Sequence, residues 1–421
     1  MSQHRSWDAT GAGPTQENAP VRVAYFPDAF HELNGVAHTS RHFAAFARRH
    51  GLPFLCVRAG TQHSVTDDGA VTALELPRGP LSFRLEKDLS FDLGFWRHLP
   101  RVLRLVRRFR PDVIHITGPS ELGMLGAWIA HHLHLPLAAS WHTNIHEYAE
   151  TRACWLAHAC GRHHAGVSRG IRSATMGAMS LYYRRASLLF APNPPLCALL
   201  QKATNRPCHV MLRGVDRDAF SPAHRTRSVG DGDFVLGFVG RLSVEKNVAM
   251  LATIAQQLSS RPGVRCRFLI VGHGGEERWL RAHLPRAEFA GVLRGRELAR
   301  AYANMDLFVF PSHTDTFGNA VLEALASGVP ALVTPDGGPA CIVREGETGM
   351  IRRDDGFAVA IDTLAQDAER HAAMRHNARA YALTATWDAV FSGMYAQYQT
   401  LRGTEATRRV RRKPPYFTCP M

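Results

Sequence analysis

No C-x-x-C pair occurs among the eight cysteines of this 421-residue chain, at positions 56, 154, 160, 197, 208, 266, 341 and 419. That spacing excludes a redox dithiol, and scattered thiols, two of them (Cys56 and Cys266) inside apolar runs, read as reduced and intracellular. Long apolar runs are also missing. The longest, LGMLGAWIA at 122–130, is about half of what a bilayer span requires and ends in His131 and His132, so no transmembrane helix is expected. Residues 1–20 hold no apolar segment, which argues against a secretory signal and for a disordered leader. The dinucleotide fingerprint G-x-G-x-x-G is absent: Gly272, Gly274 and Gly275 follow an apolar run in LIVGHGGEERWL, but at the wrong spacing. Acidic residues are outnumbered, 36 against 50 Lys plus Arg, and the net charge of +14 favours an anionic partner. Charge alone does not choose among nucleic acid, an anionic membrane surface and a phosphorylated small molecule.

What is present suffices for real cores: 45% of residues are hydrophobic and 20% charged, in a chain long enough for two or three domains. From Val21 short β-branched or apolar runs alternate with helical stretches: VRVAYF, the helix HTSRHFAAFARRH, PFLCV, a basic helix, DVIHI, then PLAAS, HAGVS, SLLFA and HVML. Such alternation predicts an α/β domain with a parallel sheet over 21–213. The polar segment 214–233 reads as an interdomain connection. DFVLGFVG, RCRFLIVG, AEFAGV, DLFVFPS and PALVT then repeat the rhythm as a second α/β domain over 234–386. A helix at about 387–401 is placed to cross back to the first domain, ahead of a disordered basic tail, 402–421.

The second domain opens with GFVGRLSVEKN, where a strand ends at Gly240, Arg241 follows, and Lys246 stands at an expected helix start. A strand's carboxyl end, a glycine that lets backbone approach and two cations suit a diphosphate, although two solvated basic residues would give the same string. In PSHTDTFGNAVLEALASGVP, Asp315 and Glu323 lie eight residues apart on a loop that becomes a helix, with Phe317, Gly318 and Asn319 between them. Backbone N–H groups near Gly318 and Asn319 are suited to phosphate, and the carboxylates to paired sugar hydroxyls.

These strings, with PDAFHELNGVAHTS, FRPDVIHITGPSELG, SWHTN and RGVDRDAFSP, resemble glycosyltransferase family 4 over nearly the whole chain, from about Val21 to Leu401. The resemblance implies a GT-B fold, two doubly wound Rossmann-like domains facing across a cleft, and retaining transfer of a hexose from a GDP-mannose or UDP-glucose type of donor to a membrane lipid or glycolipid. It implies that Arg241 and Lys246 hold the donor diphosphate, that Glu323 binds the ribose hydroxyls, and that Asp315 orients the transferred sugar. Asn34 and Gly35 match a loop folded over the phosphates, His142 a histidine near the sugar, and Gly240 and Gly272 turns near the nucleotide. Position 315 is Asp where many relatives carry Glu, one methylene shorter.

Neither a metal nor another cofactor is expected. The D-x-D at Asp231 and Asp233 lies in the connection and reads as turn chemistry. The cluster Cys154, His158, Cys160, His163 and His164, and the cluster His131, His132 and His134, fit no zinc module. The arginines of FWRHLPRVLRLVRRFRP surround a stripe of Leu99, Val102, Leu103 and Val106, which is either an ordinary helix face on the sheet or an adsorption site for anionic lipid. A peripheral cytoplasmic enzyme at the inner membrane face, with no specific nucleic acid, is the expectation. The alternative is a catalytically silent nucleotide- or nucleic-acid-binding protein on the same fold.

Overall fold

A computed structural model describes residues 19–32, 35–86, 89–142, 164–228, 232–261, 263 and 265–412. The chain forms two compact units, residues 1–138 with 394–421, and residues 139–393. In the first lie strands β1 (Val23–Phe26), β2 (Phe54–Gly60), β3 (Ser64–Asp67), β4 (Val71–Pro77), β5 (Ser82–Glu86), β6 (Leu89–Asp92) and β7 (Val113–Ile116), with helices α1 (Gly35–Arg49), α2 (Leu99–Phe109) and α3 (Glu121–His132). The division falls within β8 (Leu137–Ser140).

The first unit's sheet runs β7-β1-β2-β4-β3, parallel except for β3. Strands buried on both faces read as continuous apolar runs, and β1 and β7 are buried at every position. Between PFLCV and the basic helix, the expected single step to a helix misses the β3–β4 hairpin. Its turn is an Asp-Gly device: Asp67 Oδ1 accepts the Gly69 N–H at 2.9 Å, and Gly69 has φ +88°. Tyr25, Phe43 and Phe54 pack as an aromatic core at 5.0–5.6 Å between centroids. Tyr395 and Tyr398, from the returning C-terminal helix, join that core, and Tyr398 Oη hydrogen-bonds His115 Nδ1. Burial pushes His115 down to about 3, so it is neutral there.

The second unit continues with α4 (His164–Tyr183), β9 (Leu188–Ala191), α5 (Pro194–Thr204) and β10 (Cys208–Val210). HAGVS, expected as a strand, begins α4: a local Gly-Val signal is overruled by a helical run of 20 residues. Then follow β11 (Phe234–Val239), α6 (Ala249–Ser259), β12 (Cys266–Val271), α7 (Glu277–His283), β13 (Glu288–Gly291), α8 (Gly295–Ala303), β14 (Leu307–Phe310), α9 (Asn319–Ala326), β15 (Ala331–Val333), β16 (Gly349–Ile351), α10 (Phe357–Gln366), α11 (Ala368–Thr384) and α12 (Trp387–Arg412). Part of the stretch expected as a free basic tail thus continues a helix as far as Arg412. The connection at 214–233 is anchored rather than loose, since Arg225 and Arg227 clamp the buried Asp306 carboxylate at 2.7 and 2.9 Å.

The six-stranded parallel sheet has the order β13-β12-β11-β14-β15-β16. Its chain winds outward from β11 in one direction and from β14 in the other, so the switch point lies between β11 and β14. In open α/β sheets that crevice, at the carboxyl ends of the strands, is where ligands bind. The first unit has its own switch point between β1 and β7.

Candidate functional site

Lys246 lies in the turn after β11, and Asp315 in the loop after β14, so the switch point of the six-stranded sheet sets them together. Lys246 Nζ is 2.5 Å from Asp315 Oδ2, with both side chains about four-fifths buried, and stands 5.3 Å from the Phe310 ring centroid. Lys246 ends a 3-10 turn, Val244–Lys246, rather than starting the helix expected from its position; α6 begins three residues later. Asn247 explains the delay: it takes a left-handed φ of +51°, and its side-chain amide donates to the Pro311 carbonyl at 3.1 Å. Arg241 is exposed beside this turn. Burial opposes ionisation of Glu245, but the Ser243 hydroxyl, Arg241 and Lys246 together hold its carboxyl below the usual range.

Gly272 packs against Gly240, and a Cβ on Gly272, whose φ is +135°, would stand 1.9 Å from the Gly240 carbonyl oxygen. The Leu242 N–H donates to His273 O and the Glu276 N–H to Leu242 O, at 3.1 and 2.9 Å. These glycines bring the loops after β11 and β12 into backbone contact, which accounts for Gly272 without a ligand.

After Asp315 the chain enters α9 through Gly318, whose φ of +96° L side chains avoid. The first bonds within α9 run from Val321 and Leu322 to Gly318 O, leaving the Asn319 and Ala320 N–H groups outside the ladder. Glu323, on the second turn, accepts from Tyr302 Oη at 2.8 Å. Burial pushes the Glu323 carboxyl up to about 7, the tyrosine bond opposing this only in part. Asp315 and Glu323 therefore have separate partners, a cation and a phenol. Nearby, His313 Nδ1 meets Asp336 at 2.9 Å and its Nε2 meets Asp354 at 3.2 Å. Burial lowers its basicity, but the two carboxylates outweigh it and hold His313 above its usual range. The adjoining cavity of about 520 Å³ is lined by His313, Pro335, Asp336, Arg353, Asp354 and Asp355, three carboxylates beside an arginine and the histidine they hold.

His142, directly after β8, is fixed by a network that no sequence spacing announces. Arg213, which has only donors, approaches its Nδ1 at 2.8 Å, so Nδ1 accepts and Nε2 carries the proton toward Ser140 Oγ at 2.7 Å. The His142 carbonyl accepts from Thr316 Oγ1 at 3.1 Å, while Asn193 Nδ2 donates to the Thr316 carbonyl at 2.7 Å. Arg213 also lies 5.9 Å from the centroid of the buried Phe317 ring. Three residues of PSHTDTFGN and SWHTN are thus joined through Arg213 and Asn193, neither singled out by sequence; Arg213 did stand in the quoted RGVDRDAFSP.

At the first unit's switch point, the loops after β1 and β7 meet. Ser120 Oγ donates to Asp28 Oδ1 at 2.5 Å, and the Asp28 N–H donates to Thr117 Oγ1 at 2.7 Å. Burial pushes the Asp28 carboxyl up to about 7, and Gly118 is required because a Cβ there would stand 2.0 Å from Asp28 Oδ2. Glu121, at the start of α3, pairs with Arg78 at 3.0 Å. Gly35 is the first residue of α1 rather than part of a loop. Asn34, Asn144, Asp231 and, of the Cys154–His164 cluster, all but His164 lie outside the described residues. Among the described residues, no three or more His, Cys, Asp or Glu are grouped to hold a metal, and no helix is long and apolar enough to cross a membrane.

Residues 33–219 match the family model described as Glycosyltransferase Family 4, and residues 233–367 the one described as Glycosyl transferases group 1. A GDP-mannose-dependent alpha-mannosyltransferase of Mycolicibacterium smegmatis is 32% identical over 400 residues, 92% of this chain and 100% of the relative. A sulfoquinovosyl transferase of Arabidopsis thaliana is 28% identical over 363 residues, 82% of this chain and 66% of the relative. Among solved structures, sucrose-phosphate synthase from Thermosynechococcus elongatus matches with a TM-score of 0.69 at 18% identity, covering 92% of this chain and 100% of that one. HepE of Anabaena, in complex with UDP and glucose, matches with a TM-score of 0.63 at 16% identity, covering 89% and 99%. The shared fold is GT-B, with two Rossmann-like α/β domains.

Proposed function

The chain belongs to glycosyltransferase family 4 and is a hexosyltransferase, and we propose that it moves mannose from GDP-mannose to a membrane lipid or glycolipid with retention at the anomeric carbon. The observation that carries this reading is the Lys246–Asp315 pair at the switch point of the six-stranded sheet, beside Arg241. Lys246 and Arg241 hold the donor diphosphate and offset the charge that grows on it as the glycosidic C–O bond breaks. Asp315 accepts hydroxyls of the sugar and keeps Lys246 in place. Glu323 takes the ribose hydroxyls, the N–H groups around Gly318 and Asn319 assist the phosphates, and His142, its ring fixed between Arg213 and Ser140, lies on the sugar side. Gly240 lets backbone approach the phosphate side. The acceptor oxygen attacks the face from which the diphosphate leaves, and a leaving phosphate oxygen takes its proton, so no enzymic nucleophile is needed. Orientation and preorganised charge supply the catalysis.

GDP-mannose is favoured by three relatives named GDP-mannose-dependent alpha-mannosyltransferase, at 28–32% identity. The purified protein should turn over GDP-mannose in a panel of GDP- and UDP-sugars; turnover with UDP-sugars alone would remove the mannose assignment, and inactivity with all of them would favour a silent nucleotide-binding protein.

The lipid acceptor is supported by α2, whose Arg101, Arg104, Arg107 and Arg108 are exposed and form no ion pair among the described residues. Each such cation near an anionic surface contributes about 1 kcal/mol, screened by salt. Wild-type protein should cosediment with anionic vesicles at low salt, and the triple change of Arg104, Arg107 and Arg108 to Glu should abolish it. Indifference of the wild type to vesicles would leave a water-soluble acceptor.

A further inference from the structure

The stripe expected to make α2 amphipathic is already spent inside the protein. Val102 and Val106 are fully buried, and Leu99 and Leu103 are half-covered, so α2 offers a bilayer charge but almost no apolar surface. Exposed apolar side chains stand instead on neighbouring segments of the same unit: Leu81 (62% exposed), Leu93 (64%), Trp96 (40%) and Trp128 (38%). They fall in two pairs along neighbouring segments. Leu81 lies over Gly94, 3.6 Å from the place a Cβ there would take, and Trp96 meets Trp128 edge-on at 6.2 Å. Trp128 stacks on His132 at 4.8 Å, and His132 Nε2 is 3.3 Å from Arg107 Nη2, which ties the strip to the arginines.

We propose that Leu81, Leu93, Trp96 and Trp128 insert into the headgroup region of an anionic bilayer, flanked by the arginines of α2. The occupant is set by the combination: large apolar side chains and two indole rings, which favour the membrane–water boundary, bordered by arginines that form no ion pair among the described residues. The proposal rests on the membrane reading above and adds an apolar, salt-resistant component to it.

The test uses the full-length protein and vesicles of phosphatidylglycerol and phosphatidylcholine, some carrying brominated acyl chains. Wild-type tryptophan emission should be quenched by the brominated lipid, and the pair Trp96→Phe with Trp128→Phe should lose most of that quenching. Trp96→Ser with Trp128→Ser should weaken partitioning at raised salt about tenfold or more. Leu81→Ser with Leu93→Ser should act in the same direction without touching the paired rings. Donor hydrolysis without lipid should be unchanged in all of these, which reports that they fold. Vesicle binding without quenching, or serine variants that partition like the wild type at raised salt, would overturn insertion and leave adsorption standing. No binding at low salt would overturn both. A concentration-dependent dimer that the tryptophan changes dissolve would assign the strip to a second copy of the chain and overturn the proposal.

Discussion

Lys246→Ala is expected to lower turnover of the nucleotide-sugar about a hundredfold or more while the protein stays folded, because one preorganised charge facing a leaving diphosphate carries that much of the barrier. The effect is large here for a structural reason. Lys246 is mostly buried and bound to Asp315 at 2.5 Å, so its ammonium is positioned before substrate arrives. Removing it also leaves the Asp315 carboxylate uncompensated where the diphosphate must sit, and two anions then compete for Arg241. Asp315→Asn tests that second contribution: in the Lys246→Ala background it should recover part of the loss, whereas alone it should reduce turnover. Arg241→Ala should cost less than Lys246→Ala, since the exposed Arg241 works against solvent screening. Circular dichroism reports folding and steady-state kinetics report turnover. Wild-type kcat in Lys246→Ala would end the assignment of the switch point as the donor site.

The sheets were readable because parallel strands buried on both faces appear as short continuous apolar runs; FVLGFV and LFVF are examples, and the loops that follow them carry the polar residues of the site. Of the strands passed over, β4 is largely buried, but Thr72 and Glu75 break its apolar run. In β3, Ser64–Asp67 is a mostly exposed edge, and β16 has only three residues. HAGVS went the other way because five residues cannot outweigh the helical period around them. At the site, sequence supplies residues but not partners. That Lys246 would bond Asp315, 69 positions away, follows from the order in which β11 and β14 are laid side by side. Arg213, Asn193 and Tyr302 reach their partners only across the fold, and no local spacing marks them. Asp28 and Ser120 are a middle case: both stood in quoted motifs, and the switch-point rule applied to β1 and β7 would have selected them.

Donor binding should strengthen as pH rises from about 6 to 8, approaching tenfold per unit on the acid side, because Glu323 must be ionised to accept both ribose hydroxyls. In the free protein that carboxyl ionises near 7, so below this pH binding has to expel a proton. The same shift acts on stability with a definite sign. A carboxyl whose folded pKa lies above its unfolded value favours folding while protonated; that contribution is fully present below the ordinary value of 4.5 and is lost as pH rises through about 7. Glu323→Gln, which can still accept from Tyr302 Oη, should bind nucleoside diphosphate more weakly than the wild type at alkaline pH, with a nearly flat pH profile. Relative to wild type, its Tm should rise with pH over the same interval. His313 and Asp28 also titrate with perturbed values, so the difference between the Gln variant and the wild type, rather than the wild-type curve, isolates Glu323. Calorimetric titration with GDP at several pH values measures the affinity and, in buffers of different ionisation enthalpy, the protons released. A Gln variant that keeps the wild-type pH dependence of affinity and proton release would show that Glu323 does not contact the ribose in its ionised form.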